Sequence, residues 1–120
     1  MFVEGASDEA SAAALARCVV GSSLVKAAVF GEDANWGRVL SAMGYSGVSF
    51  DPGGVELWLG PVKVFDGGEP AEHDEAAANA VLALDGVRIT ARLGEGEASA
   101  KAWGCDLTYE YVRINGSYRT

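Results

Sequence analysis

The sequence is poor in the residues that build metal centres and charge relays. A single histidine, His73, and two cysteines outside any CxxC pair, Cys18 and Cys105, cannot complete a Cys/His zinc set. Two widely separated cysteines also make no disulfide framework, so both read as reduced, buried small hydrophobes of a cytoplasmic protein. Cations are scarce: nine lysines and arginines face 17 aspartates and glutamates, a net charge of −8. That balance argues against nucleic acid or an anionic membrane surface as partner. No apolar run approaches the roughly 20 residues of a membrane-spanning helix, and no basic start with an apolar stretch marks a signal peptide. Only three prolines interrupt the chain, and no linker, repeat or low-complexity segment is visible.

Half of what remains is apolar. Hydrophobic residues make up 49% of the 120 positions and charged residues 22%, enough for one folded domain over residues 1–120 with a usable core. FVEGA (Phe2–Ala6) reads as the end of a strand, abrupt for a domain start. Ser7 offers an N-cap for an alanine-rich helix, with Ala10, Ala13, Ala14, Arg17 and Cys18 at helical spacing and Gly21 at its end. LVKAAVF (Leu24–Phe30) suits a short buried strand. Asp33 is placed to cap a helix from Trp36, with Val39, Leu40 and Met43 inward. Val55–Phe65 alternates in two runs around Gly60-Pro61, the pattern of a strand or a hairpin, and Asp66-Gly67-Gly68 turns the chain.

Glu72–Leu84 carries Ala76, Ala77, Ala80, Val81 and Leu84 at helical spacing. Val87, Ile89, Ala91 and Leu93 then alternate with polar residues, as do Ala98, Ala100 and Ala102 after a Gly94-Glu95-Gly96 turn that reads as a tight hairpin. Leu107–Ile114 has the β-branched and aromatic content of a strand, but Leu107, Tyr111 and Ile114 are spaced as in a helix, and a helix is the expectation. The order β-α-β-α-β-β-α-β-β-α predicts an α+β fold, a mixed, mostly antiparallel sheet with helices packed on one face.

Few stretches could carry chemistry on their own. GEDANWGR (Gly31–Arg38) gathers Glu32, Asp33, Asn35 and Arg38 between two elements, which fits either a site or a capped helix start with an Arg–carboxylate pair. Its glycines make neither GxxxxGK[ST] nor GxGxxG, so it is no phosphate loop. His73 sits among acids as a surface residue, and Glu72, Asp74 and Glu75 mark a helix start favoured by the helix dipole. Cys105 is followed by Asp106, whose charge opposes formation of a thiolate. Trp36 and Trp103, flanked by glycine and small residues, are expected to fill gaps in the core.

Taken together, KAAVFGEDANWGRVLSAMGYSG (Lys26–Gly47), GEGEASAKAWGCDLTYEYVRIN (from Gly94) and the terminal SYRT resemble the ornithine acetyltransferase (glutamate N-acetyltransferase) family of arginine biosynthesis. The segments occur in the family's order, and the resemblance covers essentially the whole chain. It implies an α+β enzyme whose precursor cuts itself into α and β chains that assemble as an αβ heterotetramer. A new N-terminal threonine moves acetyl from N2-acetylornithine to glutamate, with acetyl-CoA as donor in bifunctional members and no further cofactor. The family's nucleophile, oxyanion residues and GEGATK-like stretch have no counterpart here, and Gly94-Glu95-Gly96 is a different segment.

The chain thus resembles the C-terminal part of a β chain, with no catalytic residue of its own. By the same resemblance Asn115 and Thr120 bind the amino-acid substrate, and Tyr109, Tyr111 and Ile114 are expected to pin the end that carries them. A free-standing, non-catalytic α+β module that binds an amino acid or a partner is the competing reading. On the first reading an open edge at FVEGA and an exposed apolar patch are expected, where the rest of the enzyme would pack, whereas a polar surface throughout would favour the free-standing module.

Overall fold

The computed structural model describes residues 1–117. Six strands form one mixed sheet: β1 (Phe2–Ala6), β2 (Glu56–Leu59), β3 (Val62–Asp66), β4 (Glu69–Pro70), β5 (Ile89–Arg92) and β6 (Ala98–Lys101). Their spatial order is β4-β3-β2-β5-β1-β6. β1 runs parallel to β5, and the other neighbours are antiparallel. The helices are α1 (Glu9–Gly21), α2 (Ser23–Phe30), α3 (Trp36–Gly44), α4 (Glu75–Leu82) and α5 (Tyr109–Ser117). This is the expected α+β class.

The alternation in the strands decides which face is covered. Val3, Leu57, Leu59, Ile89 and Ala91 point inward and join α1–α4 residues in one hydrophobic cluster. Their neighbours form the other face, where register places Lys63, Trp58, Thr90, Phe2 and Lys101 in one row across five strands. The next row is Asp66, Glu56, Arg92 and Glu4. Lys63 sits 2.9 Å from Asp66 and 3.4 Å from Glu56, and Arg92 bonds Glu4. Lys63 and Arg92 both lie over the Trp58 ring, and Arg88 lies over Phe2. The aromatic rings of the open face are therefore screened by cations. A bulge in β3 at Val64, opposite Leu57 and Trp58, lets both Val64 and Phe65 turn inward.

Five expectations about elements and their phase are corrected. Leu24–Phe30 is helix, not strand. Ser22 ends α1 and its Oγ immediately accepts from the Val25 N–H, restarting a helix after one residue. Val25 and Ala28 are buried while Leu24 and Ala27 are exposed, a spacing of three that no strand would give. Asp8, not Ser7, caps α1, accepting from Ser11 N at 2.7 Å. The α1 face that packs is Ala12, Leu15, Ala16 and Val19, not the Ala10–Cys18 set. In α4, which starts only after the Asp74 cap, Ala78, Val81 and Leu82 are buried, and Leu84 is 60% exposed beyond its end. In both helices the phase follows the bulky Leu/Val pair, because alanines contribute too little area to set it. Finally, the Gly94–Gly96 segment joins no hairpin. β1 lies between β5 and β6, and the Glu95 and Gly96 N–H groups bond Gly5 O as the chain crosses over β1's end.

The same topology removes the expected open edge at FVEGA: β1 is paired on both sides, and β4 and β6 are the edge strands. Gly5 allows this crossing, with φ +69 and a position where a Cβ would lie 2.9 Å from Gly94 N.

Candidate functional site: the cavity beneath AWGCD and the helix that follows

The first motif of the resemblance turns out to be a joint. Asn35, not Asp33, caps α3, its Oδ1 accepting from Arg38 N at 3.1 Å, while its Nδ2 donates to Asp33 Oδ2. The Arg38 guanidinium donates to Leu24 O of α2 at 3.0 Å instead of pairing with a carboxylate. Ala34 N donates to Asn79 Oδ1 of α4. Glu32 takes φ 54 to end α2 and turn the chain. Trp36 is half-buried, its ring 5.0 Å from Phe65. Asn35, Arg38 and Trp36 therefore hold α2, α3 and the sheet together.

The second motif lines a cavity of about 510 Å³. Its apolar wall includes Val19, Val25, Val29, Leu82 and Ile89, and its polar groups come from Lys26, Arg88, Asp85 and Asp106. Met1 stands at one end. Its amino group donates to Ala102 O at 2.8 Å, and Ala102 N donates to Met1 O at 2.9 Å, so this pair continues the β1–β6 ladder by one step. Burial, and then the nearby Arg88 guanidinium, holds the Met1 amino group below the usual range for an α-amine.

From Ala102 the chain runs along the cavity through Trp103, Gly104, Cys105 and Asp106. Leu107 N then donates to Lys26 O, and Tyr109 meets the Phe30 ring edge-on at 5.2 Å. These contacts fix the start of α5.

Trp103 and Cys105 are exposed, not buried, and Cys18 is half-buried. Past Ala102 the chain leaves the sheet, so a tryptophan there has no second layer to fill. Cys105 has no hydrogen-bond partner among the described residues and no histidine in the cavity lining. His73 is more buried than a surface residue. Its Nδ1 bonds Ala71 O at 2.7 Å; its Nε2 lies 2.8 Å from Glu75 Oε2 but off a hydrogen-bonding direction. No cluster of metal-ligating side chains occurs among the described residues, and no single described helix is long and apolar enough to cross a membrane.

Asn115 lies in α5, and Thr120 lies outside the described residues, so their juxtaposition rests on sequence. Of the expected pins, Tyr109 touches Phe30 yet is 84% exposed, and Ile114 is 53% exposed. Leu24, Phe30 and Val112 are exposed apolar residues on the same two helices, α2 and α5, and exposed Leu84 and Trp103 line the cavity beside Met1 and Phe2.

Comparison with known proteins agrees with these motifs. The ArgJ family model matches residues 1–120. An arginine biosynthesis bifunctional protein ArgJ from Symbiobacterium thermophilum is 63% identical over 118 residues, covering 98% of this chain and 29% of that protein. A chloroplastic ArgJ of Citrullus lanatus is 50% identical over 123 residues, covering 98% and 27%. The crystal structure of the Bacillus halodurans ArgJ protein superposes with a TM-score of 0.94 at 44% identity, covering 98% of this chain and 55% of the crystallised one. The chain thus spans under a third of the length of these curated relatives and just over half of the solved chain. On sequence over its full length and on fold, the chain belongs to the ArgJ family.

Proposed function

We propose that this chain is the C-terminal part of a glutamate N-acetyltransferase of arginine biosynthesis. In the assembled enzyme, acetyl passes from N2-acetylornithine, or from acetyl-CoA in a bifunctional enzyme, to glutamate. The observation that carries the reading is the family match across all 120 residues. The nucleophilic threonine comes from the rest of the enzyme. In support, the one thiol at the cavity, Cys105, has neither a histidine in the cavity lining nor a hydrogen-bond partner among the described residues.

The same segment fills 29% of a curated relative but 55% of the crystallised chain, so the crystallised chain is about half as long. That ratio supports an enzyme divided into α and β chains, here assembled as an αβ heterotetramer in the cytoplasm. Asn115 and Thr120 bind the amino-acid substrate: the amide donates and accepts, and the threonine adds a hydroxyl. The bonds that fix residues 102–109 support a role for this end, since a binding group must be held in place.

The test is steady-state kinetics and thermal melting on Asn115→Ala and on deletion of Thr120 in the reconstituted enzyme. A lost substrate hydrogen bond should cost about 1–3 kcal/mol, or roughly ten- to a hundred-fold in kcat/KM, with the melting temperature unchanged. Full activity in both variants would remove these two residues from the site.

A further inference from the structure

We infer that Phe30 is a positioning residue for the proposed reaction: its ring, through edge-on contact with Tyr109, sets the helix α5 that carries Asn115. This role rests on the reading of Asn115 as a substrate-binding residue.

The start of α5 is held by two contacts on α2. Leu107 N donates to Lys26 O, and two residues later the Tyr109 ring meets the Phe30 ring, with centroids 5.2 Å apart and an interplanar angle of 88°. Lys26 and Phe30 are four residues apart, one turn of α2. That helix is itself a fixed platform. Ser22 Oγ caps its start, Val25 and Ala28 bury its inner face, and the Arg38 guanidinium donates to Leu24 O. The N–H groups of Gly31, Glu32 and Asp33 close its end on the carbonyls of Ala27, Val29 and Ala28.

The core does not need the Phe30 ring. It is 38% exposed and stands outside the main hydrophobic cluster, against which its neighbour Val29 packs. A ring left out of the core, yet held edge-on to a second ring on another helix, is placed for that contact. The contact also has leverage over the site. Asn115 follows Tyr109 by six residues, about 9 Å along a helix that rises about 1.5 Å per residue. A tilt of about 10° at the start of α5 therefore moves position 115 by roughly 1.5 Å. A substrate hydrogen bond is kept only within about 0.5 Å of its productive geometry. Loss of the Phe30 ring thus costs binding while the core stays intact.

The experiment uses the reconstituted enzyme with Phe30→Ala, Phe30→Tyr, Tyr109→Ala, Asn115→Ala and the double change Phe30→Ala/Asn115→Ala. Steady-state kinetics gives KM and kcat for N2-acetylornithine, and amide exchange is followed over residues 107–112. Phe30→Ala should raise KM by about ten-fold with kcat within about two-fold, the signature of lost binding without lost chemistry. It should speed exchange over 107–112 by about ten-fold and leave exchange in β1, β2 and β5 unchanged, since only the start of α5 opens. Tyr109→Ala should repeat this result from the other side of the contact, and Phe30→Tyr, which keeps the ring, should restore both readouts. In the Asn115→Ala background, Phe30→Ala should add less than about two-fold to KM, because both changes remove one interaction. Unchanged exchange or unchanged KM in Phe30→Ala would overturn the inference with the site reading intact, as would a full further ten-fold rise in the double variant. Asn115→Ala with an unchanged KM would instead remove Asn115 from the site, and the inference with it.

Discussion

Two tryptophans sit in the two motifs that mark this family, and their substitution should separate a structural motif from a surface one. Trp36 is half-buried, packs against the core cluster, and lies 5.0 Å from the Phe65 ring at an interplanar angle of 34°. Removing a core tryptophan costs about 3–5 kcal/mol, of which an aromatic pair contributes about 0.5–1.5. Since Trp36 keeps some solvent contact, Trp36→Ala should cost about 3 kcal/mol.

Trp103 is 66% exposed, so only about a third of its surface is covered. A fully buried aromatic side chain hides about 150–250 Å², so Trp103 hides roughly 60–80 Å². At ~25 cal/mol per Å², discounted for a partly compact unfolded chain, that is about 1–1.5 kcal/mol. Lys101 over the ring adds little at so exposed a place. Urea titration followed by far-UV circular dichroism measures both variants without relying on the deleted fluorophore. Equal m-values would show that the unfolded ensemble is unchanged. Equal losses, or a larger loss at Trp103, would refute the assignment of the first motif to the core and the second to the surface.

Other consequences are more local. Asn35→Ala should cost about 1 kcal/mol in the same titration through loss of the α3 cap, and Asn35→Asp should recover most of it. Gly5→Ala combines a left-handed backbone with a Cβ placed against Gly94 N, and should cost more than about 2 kcal/mol by thermal melting. The Ser11 N–H holds the Asp8 carboxyl below the usual aspartate range. The stabilisation linked to this lowered pKa is complete above the ordinary aspartate range and is lost as pH falls through the lower, folded-state value. An Asp8→Ser variant should therefore show a flatter acid limb in melting temperature against pH.

The sequence was most legible where apolar residues alternate over a long run. Val55–Phe65 and Val87–Leu93 show which residues face the core, and only the β3 bulge at Val64, which turns Phe65 inward, has no sequence signal. Leu24–Phe30 misleads because seven apolar-rich residues fit either period; the informative residue is Ser22, one position outside the run. The alanine-rich helices were recognisable, but their facing was not, since alanine spacing matches several faces equally well. The interior position of β1 depends on partners about 90 residues away and could not be read locally. At the candidate site, the helical spacing of Leu107, Tyr111 and Ile114 outweighed the strand-like composition of that segment, as α5 bears out, whereas the exposure of Trp103 and Cys105 follows from the chain leaving the sheet after Ala102.

The most direct test of the account is acetyl transfer from N2-acetylornithine to glutamate, measured on the purified chain alone and on the chain co-expressed with the rest of an ArgJ-family enzyme. The account predicts no turnover by the chain alone, and turnover on assembly that falls by about ten- to a hundred-fold with Asn115→Ala. Turnover that follows the purified chain through every column fraction, or a stable and complete assembly with none, would contradict it.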